Sequence, residues 1–174
     1  MKAIISLAAM LIAVLLSSCA SRPPLKTVPS VDLKRYEGTW YEIAKYPNFF
    51  QRSCAKNTSA RYTAKPDGTI EVVNRCVMKN GESKEVIGQA TVVPGSNNTK
   101  LMVGFGGPFK GAYWVIGLDE KKYSWALVGH PSRKFLWILS RTPKLSEAEY
   151  TKIIFLAESL GYDPSKLEPT IQSP

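Results

Sequence analysis

The sequence predicts an all-β domain followed by a single helix, and three observations carry that expectation. Between Gly38 and Ser140 the chain breaks into short segments rich in Val, Ile, Thr and aromatic residues. Turn signals separate them at close intervals: Asp67-Gly68, Asn80-Gly81, Gly95-Ser96-Asn97-Asn98, Gly106-Gly107-Pro108 and Gly129-His130-Pro131-Ser132. Beyond residue 145 the apolar period changes from two to about 3.6. A run of strands with short connections and no alternating helices favours an up-and-down antiparallel barrel or a sandwich.

Eight strands are expected, at 39–46, 57–64, 69–78, 85–93, 100–105, 112–118, 123–128 and 134–140. Asp67-Gly68 reads as a two-residue hairpin between the second and third. Ser146 and Glu149 then form a capping box. Tyr150, Ile153, Ile154, Ala157 and Leu160 follow helical spacing, and Gly161 is a natural C-terminal stop. One helix after eight strands must pack against the outside of the sheet. Pro164 and Pro169 should keep the remaining residues extended.

The first eighteen residues read as a targeting segment. Lys2 supplies a positive start, and the apolar run 3–16 is short for a membrane-spanning helix, which needs about 20 residues. It ends in Leu16-Ser17-Ser18-Cys19, which resembles the bacterial lipobox. The resemblance implies cleavage before Cys19, diacylation of its thiol and a lipid on its amine. Ala20 stands where an aspartate would imply retention in the inner membrane, so the same resemblance implies the outer membrane. Residues 20–30 carry Pro23, Pro24 and Pro29 without apolar periodicity. At about 3.1 Å per residue they would form an extended tether of roughly 30 Å. The expected division is 1–18 signal peptide, 19–30 lipidated cysteine and tether, and 31–174 one folded domain.

A net charge of +9 raises the question of nucleic acid. The cations are scattered singly along alternating segments rather than clustered, and an exported protein has little access to nucleic acid, so that partner is excluded. A basic surface facing anionic headgroups and a plain solvated surface both remain open. No cofactor or metal is implied; His130 is the only histidine and sits in a loop. With Cys19 assigned to lipid, Cys54 and Cys76 remain, either a structural disulfide of an oxidising compartment or two free thiols.

Gly38-Thr39-Trp40-Tyr41-Glu42-Ile43-Ala44 resembles the G-x-W signature of the lipocalin family. Leu136-Trp137-Ile138-Leu139-Ser140-Arg141-Thr142-Pro143 is similar to that family's third block, with its arginine. Val115-Ile116-Gly117-Leu118-Asp119 with Tyr123 matches the second block in part, Leu118 replacing its threonine. Block order, strand count and terminal helix agree over residues 31–169, nearest the bacterial outer-membrane, apolipoprotein D-like branch. The resemblance implies an eight-stranded up-and-down antiparallel barrel with one C-terminal α-helix packed outside. It also implies that Trp40 plugs one end of the barrel with Arg141 across it, a cation–π contact of about 0.5–2 kcal/mol with a structural role. Phe49 and Phe50 fall at the family's barrel mouth, either exposed to guide lipid or touch a membrane, or packed under the loop. Cys54 matches a cysteine of apolipoprotein D whose C-terminal partner is missing here, leaving Cys76. A strict two-residue hairpin register would put Cys76 opposite Ser59, so the chain ahead of the second strand would have to curl back to bond it.

Strand alternation assigns the barrel lining. With Lys100 outward, Leu101, Val103 and Phe105 face in; with Lys134 outward, so do Phe135, Trp137 and Leu139. Arg61 outward turns Ala60 and Tyr62 inward, and Glu71 outward turns Ile70 and Val72 inward. Tyr113 and Val115 join them if Trp114 faces the helix. An apolar interior without inward charge suits an acyl chain. The expected function is a membrane-anchored, non-catalytic carrier that stores or transports fatty acids, lysophospholipids or similar hydrophobic ligands in the bacterial envelope, its barrel facing the periplasm. Two alternatives stand beside it: an enzyme using a pocket cysteine, and a structural envelope protein with a filled barrel.

Overall fold

The computed structural model describes residues 22–173, so the signal segment, Cys19 and Ala20 lie outside the described residues. Eight strands close on themselves: β1 (Gly38–Lys45), β2 (Cys54–Ala64), β3 (Ile70–Met78), β4 (Ser83–Val92), β5 (Lys100–Gly104), β6 (Gly111–Leu118), β7 (Trp125–Gly129) and β8 (Leu136–Ser140). Every neighbouring pair is antiparallel, and β1 joins both β2 and β8, which makes a barrel rather than a sandwich. A helix, α1 (Leu33–Tyr36), precedes β1, and a longer one, α2 (Glu147–Ser159), follows β8. A two-residue strand, β9 (Glu168–Pro169), pairs with the upper part of β1.

The first hairpin differs from the two-residue turn expected. Lys65 N–H donates to Thr69 O, Gly68 N–H donates back to Lys65 O, and Gly68 has φ +81°. This is a type I turn, Pro66 at its first corner, followed by a left-handed residue. It shifts the register by one, so Ser59 faces Arg75 rather than Cys76. Two further irregularities bring β2 back toward its start, where Cys54 faces Met78. The curl needed for a disulfide is therefore built from bulges, each of which sets two residues against one. Cys54 and Cys76 are bonded, with Cα atoms 5.7 Å apart.

Two apolar layers follow from the alternation. Trp40, Tyr62, Ile70, Val72, Leu101, Val115 and Leu139 meet inside the barrel. Ala44, Ile116, Leu127, Leu136 and Ile138 face outward and are covered by Ile153 and Ala157 of α2. The expected capping box is present, Ser146 Oγ accepting from Glu149 N–H. The helix lies so close that a Cβ on Gly117 would come 2.6 Å from Leu156 Cδ2. Trp114 belongs to this outer layer, with Lys100 Nζ 4.2 Å from its ring centroid, which leaves Tyr113 and Val115 inside. Tyr123 does not open β7 as expected. It sits at φ +56° in the preceding turn, where its hydroxyl accepts from Asp32 N–H.

The segment expected to be a free tether is docked where it is described. Leu25 is buried in the helix-side layer, Thr27 bonds Thr99, and the N–H groups of Val28 and Val31 donate to Val115 O and Asn97 O. Proline made the stretch extended, as composition implied. Its unpaired backbone groups and two apolar side chains then found partners on the barrel.

Candidate functional site

The loops after β1, β3, β5 and β7 share one end of the barrel, and those after β2, β4 and β6 share the other. The second end is sealed. Asp32 caps α1 by accepting from the N–H groups of Lys34 and Arg35, which lays Tyr36 across the base. Trp40 is fully buried, its Nε1 donating to Tyr36 O at 2.8 Å. Arg141 lies 3.9 Å over the Trp40 ring, and its guanidinium donates to Thr39 O and Arg35 O at 3.0 and 2.7 Å. The Trp40–Arg141 contact expected of barrel closure is thus in place, far from the open end. A void of about 10 Å³ beside Tyr36, Tyr62 and Leu101 is no larger than one water needs.

A chain of phenols forms the floor above this plug. Tyr62 Oη donates to Tyr113 Oη at 3.0 Å, and Tyr113 and Tyr36 hydroxyls meet at 2.8 Å. Burial pushes Tyr62 up to about 12 and raises Tyr36 and Tyr113 as well, so all three are neutral near pH 7. Sequence reasoning found Tyr62 and Tyr113 but missed Tyr36, which stands in a four-residue helix too short for a periodic signal.

The expected lining converges above and around this floor. Tyr62, Ile70, Val72, Leu101, Val115 and Leu139 are buried in the lower interior. Ala60, Val103, Tyr113 and Trp137 pack against them but remain half-buried. Phe105 and Phe135 stand higher still. Phe105 covers Gly88, where a Cβ would meet its ring at 2.5 Å, and Phe135 stacks on Trp137 with centroids 6.0 Å apart. Ala60 pairs with Trp40 of the plug, whereas Val103 and Trp137 lie toward the open ends of β5 and β8, where exposure rises to Phe105 at the mouth.

The expectation of no inward charge fails at Glu42. This carboxyl is two residues past Trp40 on the same face of β1 and only 3% exposed. Its oxygens accept from Gln51 Nε2 at 2.7 Å and Thr170 Oγ1 at 2.6 Å. Burial raises its proton affinity, and those two donors and Lys45 only partly offset this. Gln51 Oε1 in turn accepts from Trp137 Nε1 at 3.0 Å, so the acid is linked to a lining tryptophan through one amide. The signal in the sequence was Glu42 standing on the inward phase of strand one. Reading the segment as a family signature hid it.

The open rim is aromatic. Phe49 and Phe50 pack edge to face on the 3₁₀ turn Phe49–Gln51, and Phe50 also contacts Phe135 and Trp137. Phe49 is nonetheless 75% exposed, and Phe109 across the mouth is 87% exposed. Of the alternatives for Phe49 and Phe50, exposure holds for the first, and partial packing for the second. Cys54 and Cys76 are joined in a disulfide, so the enzyme alternative loses the free thiol it required.

Eight antiparallel strands closed on themselves, sealed at one end by a tryptophan and an arginine and flanked by one helix, define the class of lipocalin barrels. The comparisons with known proteins agree, and the chain belongs to the lipocalin family: the lipocalin-like domain profile matches residues 31–172. The chain is 40% identical over 159 residues to the outer membrane lipoprotein Blc of Vibrio cholerae, covering 90% of this chain and 92% of the relative. It is 41% identical over 157 residues to temperature-induced lipocalin-1 of Arabidopsis thaliana, covering 86% and 83%. Apolipoprotein D of Mus musculus is 33% identical over 167 residues, covering 91% and 84%. Among solved structures, insecticyanin from the tobacco hornworm Manduca sexta superposes with a TM-score of 0.70 at 26% identity, covering 87% and 86% of the two chains.

Proposed function

We propose that this lipocalin is a membrane-anchored carrier that takes up fatty acids, lysophospholipids or similar hydrophobic ligands and stores or transports them in the bacterial envelope. The observation that carries the reading is the apolar, half-buried surface of Val103 and Trp137 above the sealed phenol floor, with Phe105 exposed at the rim. An acyl chain entering there replaces water on those surfaces, worth about 0.8 kcal/mol per methylene buried. Ala60, Tyr62, Ile70, Val72, Leu101, Val103, Phe105, Tyr113, Val115, Phe135, Trp137 and Leu139 are the proposed contacts. Trp40 and Arg141 close the base and do not touch ligand. Cys19 carries the lipid anchor, and Ala20 directs it to the outer membrane with the barrel in the periplasm. The similarity to Blc, which is named an outer membrane lipoprotein, supports an outer-membrane anchor.

Titrating delipidated protein with fatty acid or lysophospholipid tests the carrier. Saturable quenching of tryptophan emission that is lost in a Trp137→Phe variant supports it. A flat titration would show a filled barrel and redirect the search to protein partners.

A further inference from the structure

The described chain begins at the open end of the barrel. Arg133, in the loop between β7 and β8, donates from Nη2 to Pro23 O at 2.8 Å and from Nε to Leu160 O at 2.7 Å. These bonds tie the incoming segment to the rim and to the end of α2. From Pro23 the chain descends along the barrel wall, through buried Leu25, to Val31 at the closed end. Only four residue steps separate Cys19 from Pro23. Fully extended, they span at most about 14 Å. A free tether would let the barrel take any orientation, and the docked one does not.

The rim this short leash would hold against lipid is built for it. Phe49 and Phe109 project from two of its loops, with Phe50 and Phe105 behind them. The four open-end loops carry Arg52, Lys79, Lys110, Arg133 and Lys134 against Glu82, which is held by Asn80, and the C-terminal segment beside them adds Asp163 and Glu168, each paired with a lysine, Lys166 and Lys45. At the closed end acids are nearly as many as cations: Lys34, Arg35, Lys65, Lys121, Lys122, Arg141 and Lys144 stand with Asp32, Glu37, Asp67, Asp119 and Glu120. Exposed aromatics ringed by cations match a surface of anionic headgroups over acyl chains.

We propose that the protein sits mouth-down, its open rim pressed on the anionic bilayer that holds its anchor, so that apolar ligand passes between membrane and cup without crossing bulk water. This rests on the reading that Cys19 is lipidated. Phe49 and Phe109 enter the interfacial region, and the cations around them lie against headgroup phosphates. The closed end, with α1, points away.

Bromolipid quenching distinguishes the two ends. The full-length lipoprotein is reconstituted into vesicles of phosphatidylethanolamine and phosphatidylglycerol with brominated acyl chains, as Phe109→Trp at the rim or Lys122→Trp at the closed end. Both sites are exposed, so neither change disturbs the core. After subtraction of the parent protein's signal, the indole added by Phe109→Trp should lose most of its emission, while that added by Lys122→Trp keeps its own. Quenching confined to Lys122→Trp, or quenching of neither, overturns the orientation. Mass spectrometry of the N-terminal peptide from the same samples separates the two failures. Acylated Cys19 with an unquenched rim refutes the mouth-down placement alone, whereas unmodified Cys19 refutes the anchor and the placement built on it.

Discussion

Replacing Arg141 with methionine removes the clasp across the barrel's base while keeping the length of its stem. The guanidinium makes two short bonds, 2.7 Å to Arg35 O and 3.0 Å to Thr39 O, and a long one of 3.4 Å to Tyr123 O. Hydrogen bonds with a charged partner contribute about 1.5–3 kcal/mol when buried, and this site is half-buried, so the two short ones are taken at about 1–1.5 kcal/mol each. The cation over the Trp40 ring at 3.9 Å adds about 1 kcal/mol. Arg141→Met should therefore lose about 3–4 kcal/mol by urea unfolding with an unchanged m-value, and Tm should fall by about 10 °C. Arg141→Lys keeps the charge above the ring but cannot reach two carbonyls with one planar fork, and should recover roughly half of the loss. Ligand affinity should not change in either variant, because the clasp lies under the floor. A methionine variant within about 1 kcal/mol of the parent, or a lysine variant equal to it, would refute the account, since surface pairs alone contribute that little.

Three further changes probe other parts of the fold. Removing the disulfide by Cys54→Ser with Cys76→Ser opens a loop closed over 22 residues, and should cost about 3 kcal/mol by chain entropy, read as a lower urea midpoint; an unchanged midpoint would place the bond's effect elsewhere. Glu42 holds its proton more tightly folded than unfolded, so its contribution is greatest below about pH 4.3 and is lost as pH rises through the folded value. Glu42→Gln should flatten that fall and be at least as stable as the parent at pH 7; a variant less stable at pH 7 yet equal at pH 4 would show a favourable carboxylate instead. Gly88→Val sets a side chain against Phe105 at 2.5 Å and Gly104 O at 2.6 Å, which should cost about 1–3 kcal/mol and displace the ring from the rim. A crystal structure with Phe105 unmoved would contradict that.

The barrel was legible because a strand announces itself twice, in its period and in its turns. Alternation from single outward charges, Lys100, Arg61 and Glu71, placed ten of the expected residues in one cluster with Trp40, while Phe105 and Phe135 stand outside it toward the rim. What escaped has a common cause. α1 is one turn long, the docked segment 22–31 has no period, and β9 is two residues, so none repeats often enough to be read. The register of the first hairpin depended on whether Pro66 or Asp67 took the first corner, a choice that composition leaves open. Glu42 is the inverse case, a charge on an inward phase whose burial depends on donors from Gln51 and Thr170, 9 and 128 residues away.

The ladder between β1 and β2 runs from Gly38↔Tyr62 only as far as Tyr41↔Ser59, and above it the two strands part. Residues 168–173 fill the gap: Gln172 Nε2 donates to both Glu42 O and Thr58 O, and Asn57 N–H donates to Ile171 O. These bonds join positions 114 and 130 residues apart. Loop-closure entropy makes such contacts late ones, so this seam is expected to zip after the other strands have assembled and to part first under stress. The upper wall then has a hinge line of its own, independent of the mouth. Amide exchange should reveal it as Asn57, Thr170 and Ser173 opening together at a free energy well below that of global unfolding.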